Sequence, residues 1–199
     1  MAVRIPVNET SGKRQRKTLS REQKYTYSVR LIYGALILLA GLLQNTPHLF
    51  PTIFGVHAWL LLPLMVCIAM LEKSLTGTLF GILAGALWDV ALARGDGFHA
   101  LFFMLASSGV CILMNYLMRN NLVTALILSS GTIVLYGLVH WLIFFVLSGA
   151  DGVWLQLARF YLPSMVYSFL FTPIFYMLLR SILKKLRLRF PRSTTISRP

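Results

Sequence analysis

Asp89, His99, His140 and Asn115 are the side chains whose types, set among apolar neighbours, could do chemistry in this sequence. An Asp and a His can pass a proton or hold a metal, and Asp96 adds a second carboxylate three residues before His99. Asp96 and His99 would supply two metal ligands, whereas a catalytic zinc takes three from the protein, and no third stands nearby. Across the four histidines (48, 57, 99 and 140) and the six acidic residues, no spacing marks an acid–base pair. No HExxH, GxSxG, phosphate-binding loop or glycine-rich dinucleotide loop occurs. Cys67 and Cys111 fall within apolar runs, far from any CxxC spacing, and read as small buried hydrophobes. No enzyme, metal site or cofactor is therefore expected.

The polar residues have structural readings as well. Asp89 sits about one turn from the end of its apolar run, where a carboxylate costs far less than at a bilayer midplane. It can bond to nearby backbone or serine, or orient the following loop Arg94-Gly95-Asp96-Gly97-Phe98-His99, whose two glycines permit a tight turn. His140 and Asn115 read first as hydrogen-bonders across a helix bundle and second as ligands. Gly77, Gly81 and Gly85 precede Asp89 at four-residue steps, and such a stripe lets another helix backbone come close. Each step turns the stripe by about 40°, which suits a steep right-handed crossing. The stripe serves packing within the bundle or docking of another protein's helix.

The elements that position these residues are written in the hydropathy. Of the 199 residues 57% are hydrophobic and 13% charged, with a mean hydropathy of +0.70, and the apolar residues form long runs. The expectation is an all-α integral membrane protein with six transmembrane helices at 28–44, 56–71, 75–92, 98–117, 122–147 and 160–183. Residues 1–27 read as a disordered basic tail, the first span 28–44 as an uncleaved anchor, and 184–199 as a second basic tail. Glu72, Lys73 and Ser74 make the turn of a hairpin between the second and third spans. Pro63, Pro163 and Pro173 fall in or at the start of spans, where neighbouring helices can satisfy the freed backbone. The apolar stretch 153–157 reads as an interfacial segment before the sixth span.

The net charge of +13 is confined to the flanks. Six spans put both tails, Lys73 and Arg119 on one side, so that seventeen of the nineteen Lys and Arg residues share it, against Arg94 and Arg159 on the other. Both ends are therefore expected in the cytoplasm. Trp59, Trp88 and Trp154 then form an outer aromatic belt. The tails lack interleaved aromatics or any recognition module, so nucleic acid is not an expected partner, while anionic membrane lipids are. Residues 180–190 carry Ile182, Leu183, Leu186 and Phe190 on one face and basic residues on the other, which suits either a helix on the inner leaflet or a fraying end of the last span.

The series Gly77-x3-Gly81-x3-Gly85-x3-Asp89, followed by Gly97-Phe98-His99-Ala100-Leu101, resembles the rod shape-determining protein MreD family. Leu42-Leu43-Gln44 followed by Pro47, the six spans and the small size agree, and the similarity covers residues 36 to 147. The resemblance implies a bacterial inner-membrane protein of the elongation machinery, or elongasome. Its implied partner is MreC, and through it the polymerase RodA and a class B penicillin-binding transpeptidase, with the filament protein MreB on the cytoplasmic side. It also implies a bundle similar to the substrate-binding S components of energy-coupling-factor vitamin transporters. The expected role is a noncatalytic scaffold, with Gly77, Gly81 and Gly85 receiving a partner helix while Asp89, Gly97 and His99 shape the outer loop. The rival is a small-molecule-binding membrane protein such as an S component.

Overall fold

The computed structural model describes residues 21–46, 56–72, 74–93, 96–147, 149 and 153–189. Residues 1–20, Pro47, His48, Lys73, Arg94, Gly95 and 190–199, on which parts of the sequence reading fall, lie outside the described residues. The described chain forms six helices. They are α1 (Arg21–Asn45), α2 (Leu61–Leu71), α3 (Ser74–Ala91), α4 (Phe98–Tyr116), α5 (Leu122–Trp141, continued by a π turn Leu142–Val146) and α6 (Val153–Arg189).

Four of these helices are long and apolar enough to cross a membrane: Gln23–Asn45, Phe98–Tyr116, Leu122–Val146 and Val153–Arg189. The expectation of six spanning helices is thus met in helix count but not in length, since Leu61–Leu71 and Leu75–Ala91 are shorter. The expected span 56–71 becomes helical only from Leu61. Pro63 explains this, because a proline is tolerated in a first turn but its ring would clash with the carbonyl four residues back if the helix began earlier. At about 1.5 Å per residue, eleven residues reach only about half of a hydrocarbon core roughly 30 Å thick.

Helix α2 lies at the centre of the bundle. Every residue from Leu61 to Met70 is buried, and α2 touches all five other helices. A helix apolar on all sides suits such an enclosed position. The arm before it is also enclosed, with Val56, Ala58 and Leu60 buried. Two backbone donors at this junction are met by side chains: Trp59 N donates to Ser168 Oγ (2.7 Å) and Leu61 N to Gln44 Oε1 (3.1 Å). Non-helical backbone inside a membrane protein is tolerated when it is satisfied in this way.

Helices α1 and α6 both extend past the expected limits. Residues 21–27, assigned to the tail, are helical, and so are 184–189 at the other end. Hydropathy marks the lipid-embedded part, whereas the backbone ladder runs on through good helix formers such as Arg, Glu, Gln, Lys and Leu. The expected interfacial stretch 153–157 is the first part of α6. A π turn, Leu157–Tyr161, precedes Pro163, and a tightened turn at Phe171, where N–H bonds back to Ser168 O (3.2 Å), precedes Pro173. Each irregularity sits where a proline withholds its backbone donor.

Candidate functional site

The polar residues singled out by type meet at one end of the bundle. Asp89, in the last turn of α3, faces the start of α4, and its carboxylate accepts from three groups. Oδ2 takes the N–H of Ala100 (2.9 Å), while Oδ1 takes the N–H of His99 (3.2 Å) and the His99 ring at Nδ1 (2.7 Å). A carboxylate on the free N–H groups of a first turn both fills orphan donors and meets the positive end of the helix dipole. Gly97 makes the turn possible, standing at the helix N-cap with φ +68°, a left-handed conformation natural to glycine. The other nitrogen of the His99 ring, Nε2, lies 3.0 Å from the Tyr136 hydroxyl on α5. Asp89, His99 and Tyr136 are all buried. Three helices are pinned through one imidazole.

The glycine stripe lies along the same α3–α4 contact. A Cβ on Gly77 would meet Cys111 Sγ at 2.7 Å and Ala69 Cα at 3.1 Å. On Gly81 it would meet Ser107 Cβ at 2.7 Å and the Phe103 carbonyl at 2.9 Å, and on Gly85 Ala100 Cα at 2.6 Å. All three positions are therefore filled by this chain's own α4, with α2 beside Gly77. Another protein's helix has no room on that face. Thr78 and Ser108 hydroxyls, 3.2 Å apart, add a polar contact along the seam.

His140 is half-buried on α5, and its Nδ1 lies 2.7 Å from the Tyr161 hydroxyl of α6, with Phe144 packed against the ring at 4.5 Å. Asn115 departs from its expected role across the bundle. It is exposed on the last turn of α4 and has no hydrogen-bond partner among the described residues. The four-residue series His99, Phe103, Ser107, Cys111 is buried, but each step rotates by about 40°, so the next step carries Asn115 off the packed face. Trp88 also departs from the belt reading. It is 5% exposed and stacks on His99 (4.7 Å, 27°) and on Tyr136 (5.4 Å, 29°) rather than facing lipid. Trp154 is exposed, at 76%.

Above the Asp89–His99–Tyr136 brace opens a cavity of about 740 Å³. Its floor is aromatic, from Trp59, Trp88, Tyr136 and Tyr161, and its sides carry Gln44, Asn45, His57, His140 and Gln156. Trp59 packs edge-on to Tyr136 (5.0 Å, 78°) and to Tyr161 (5.9 Å, 66°). The C-terminal ends of α1, α3 and α5, the arm leading into α2, and the starts of α4 and α6 all reach this cavity. Arg21 and Arg189 therefore lie at the opposite end of the bundle, where Tyr176 of α6 bonds Asn120 Oδ1 in the α4–α5 turn (3.1 Å).

Sequence reasoning did not single out Tyr136, Tyr161 or Gln156, named Gln44 only within the Leu42-Leu43-Gln44 series, and treated Trp59 and Trp88 as belt residues. A local signal existed for some: Trp88 adjoins Asp89, and Tyr136 stands one helical turn before His140. Tyr161, Gln44 and Gln156 are brought in only by the tertiary fold. No group of three His, Cys, Asp or Glu able to hold a metal occurs among the described residues.

No curated protein and no solved structure matches the chain, so the expected likeness to an S-component bundle gains no support from known structures. A family model does match, over residues 25–186, which takes in nearly all of the six-helix bundle. Its description is the rod shape-determining protein MreD. This multi-pass helical membrane protein, with its α3 glycine seam and Asp89-braced α4, belongs to the MreD family of cell-shape proteins.

Proposed function

We propose that this protein is a noncatalytic scaffold of the elongation machinery in the bacterial cytoplasmic membrane. It binds MreC and so supports lateral peptidoglycan synthesis by RodA and its class B transpeptidase. The observation that carries this reading is the family match over residues 25–186, which spans nearly the whole bundle rather than one motif. The chemistry of the site is consistent with a scaffold, because Asp89 and His99 are spent on holding α3, α4 and α5 together.

The proposal includes an orientation. Among the described residues, Lys24, Arg30, Arg119, Arg180, Lys184, Lys185, Arg187 and Arg189 lie toward the end away from the cavity, while Arg159 lies on the cavity half. Positive-inside bias then supports an orientation with Lys24 and Arg189 on the cytoplasmic side, near MreB and anionic lipid, and the cavity outside. Helix α2 with its arm at 56–60 completes a sixth crossing inside the protein. Five extended residues at about 3.3 Å each supply roughly the length the short helix lacks.

Since the glycine stripe is occupied, MreC meets a different face. Leu75, Leu79 and Leu83 stand exposed on α3, on the side turned away from Gly77, Gly81 and Gly85. Depleting the protein from a rod-shaped bacterial host that depends on it tests the function directly. Rounded cells that no longer incorporate wall precursor along their sides are expected, with recovery on re-expression. Normal rods with normal sidewall incorporation after complete depletion would overturn the scaffold reading.

A further inference from the structure

The cavity carries groups that bracing the helices does not use. Gln44 spends its Oε1 on Leu61 N, and its amide NH2 remains, while Asn45 donates to the Gly41 carbonyl (2.8 Å) and keeps its Oδ1. Gln156 and His57 have no hydrogen-bond partner among the described residues. Amides and imidazoles present donors and acceptors side by side, which matches groups that do both, and the hydroxyl is the commonest of these. The aromatic floor offers apolar ring faces and edges beneath them.

Charge narrows the ligand further. Among the described residues no Lys, Arg, Asp or Glu lines the cavity, so a phosphate or carboxylate finds no counter-ion among them. A cation finds no counter-ion among them either, and the Asp89 carboxylate beside His99 is already engaged by the start of α4 and by the His99 ring. The volume of about 740 Å³ is within the usual range of small-molecule sites and accommodates more than one sugar ring.

A second observation points to the same place. Both π turns of the chain's described residues supply the cavity: Leu142–Val146 gives Phe145, and Leu157–Tyr161 gives Phe160 and Tyr161. Such turns are rare, and when present they commonly re-aim side chains at a functional site. Here two of them, on α5 and α6, serve one cavity.

We propose that this cavity is a binding site for a neutral saccharide, held by amide and imidazole hydrogen bonds over an aromatic floor. The inference stands apart from the scaffold reading, since it rests on the cavity alone. Its test is a fluorescence titration of the full chain in nanodiscs free of choline lipids, because Trp59 and Trp88 line the site. The probes are cellobiose and diacetylchitobiose, an alkyl glucoside, glucose 6-phosphate and tetramethylammonium. A saturable change with a neutral sugar is expected, with none from the anion or the cation. Gln156→Ala and His57→Ala alter half-buried and exposed side chains and should leave the thermal midpoint unchanged while weakening sugar binding about tenfold, equivalent to about 1.4 kcal/mol. Response to the free disaccharides indicates a soluble glycan, and response to the alkyl glucoside alone indicates the sugar headgroup of a lipid. Either supports the site. The proposal is overturned if no neutral sugar gives a saturable change, if tetramethylammonium binds instead, or if both variants bind sugar as the parent does.

Discussion

Asp89 holds the start of α4 through two backbone N–H groups and reaches α5 through the His99 ring, so a single carboxylate fixes the geometry of three helices. Replacing Asp89 by Asn keeps the size but removes the charge and turns an NH2 toward groups that are themselves donors. Hydrogen bonds to charged groups are worth about 1.5–3 kcal/mol each. Asp89→Asn should therefore destabilise the protein by about 2–3 kcal/mol, read as a lowered thermal midpoint in detergent; an unchanged midpoint would mean that the brace is decorative. The sequence made Asp89 and His99 conspicuous, because charge and imidazole stand out among apolar neighbours. It did not reveal Tyr136, since a tyrosine in an apolar helix is ordinary until the fold places its hydroxyl 3.0 Å from His99 Nε2. Asn115 misled for the opposite reason: its type invited a bundle contact that its angular position does not allow.

Among the elements, the α3–α4 pair depends on absent side chains and α2 on borrowed ones. Gly81→Leu would drive a branched side chain into Ser107 and the Phe103 backbone, and overpacking of this kind costs about 1–3 kcal/mol or more. The expected result is loss of folded protein altogether, rather than a stable protein that has lost one partner. Gly109→Leu is the matched control, because a Cβ there meets nothing within 4 Å, and it should accumulate and unfold like the parent. If Gly81→Leu were as stable as Gly109→Leu, the seam would not be the close contact described. Ser168→Ala should leave the Trp59 N–H without its acceptor and lower stability by about 1–3 kcal/mol, again seen as a lower thermal midpoint. Stripe spacing was legible in the sequence, yet its occupant was not, since four-residue glycine steps suit a neighbouring helix from the same chain or from another equally well. The short α2 follows from Pro63, a local signal that an unbroken apolar run outweighs in any hydropathy window.

At the scale of the whole molecule, six alternating helices bring one end of each helix toward the cavity and leave the basic residues near the ends of α1 and α6 at the far side. Introducing His57→Cys at the cavity mouth and Arg187→Cys near the end of α6 checks the orientation. Cys67 and Cys111 are buried and should stay unreactive in the folded protein. A membrane-impermeant maleimide added to intact spheroplasts should label the first variant and spare the second, and the reverse pattern would invert the topology. Apolar runs and basic flanks made the membrane class, the six helices and the direction of charge readable without a structure. The count of helices long enough to span was not readable, because a helix enclosed by protein and a helix facing lipid have the same composition. The central claim, that the bundle is a scaffold for MreC, is tested most directly by recovering the tagged full chain from solubilised native membranes and identifying what comes with it. MreC with RodA and the class B transpeptidase is the predicted recovery. Their absence, with a transporter's coupling subunit and ATPases in their place, would contradict it.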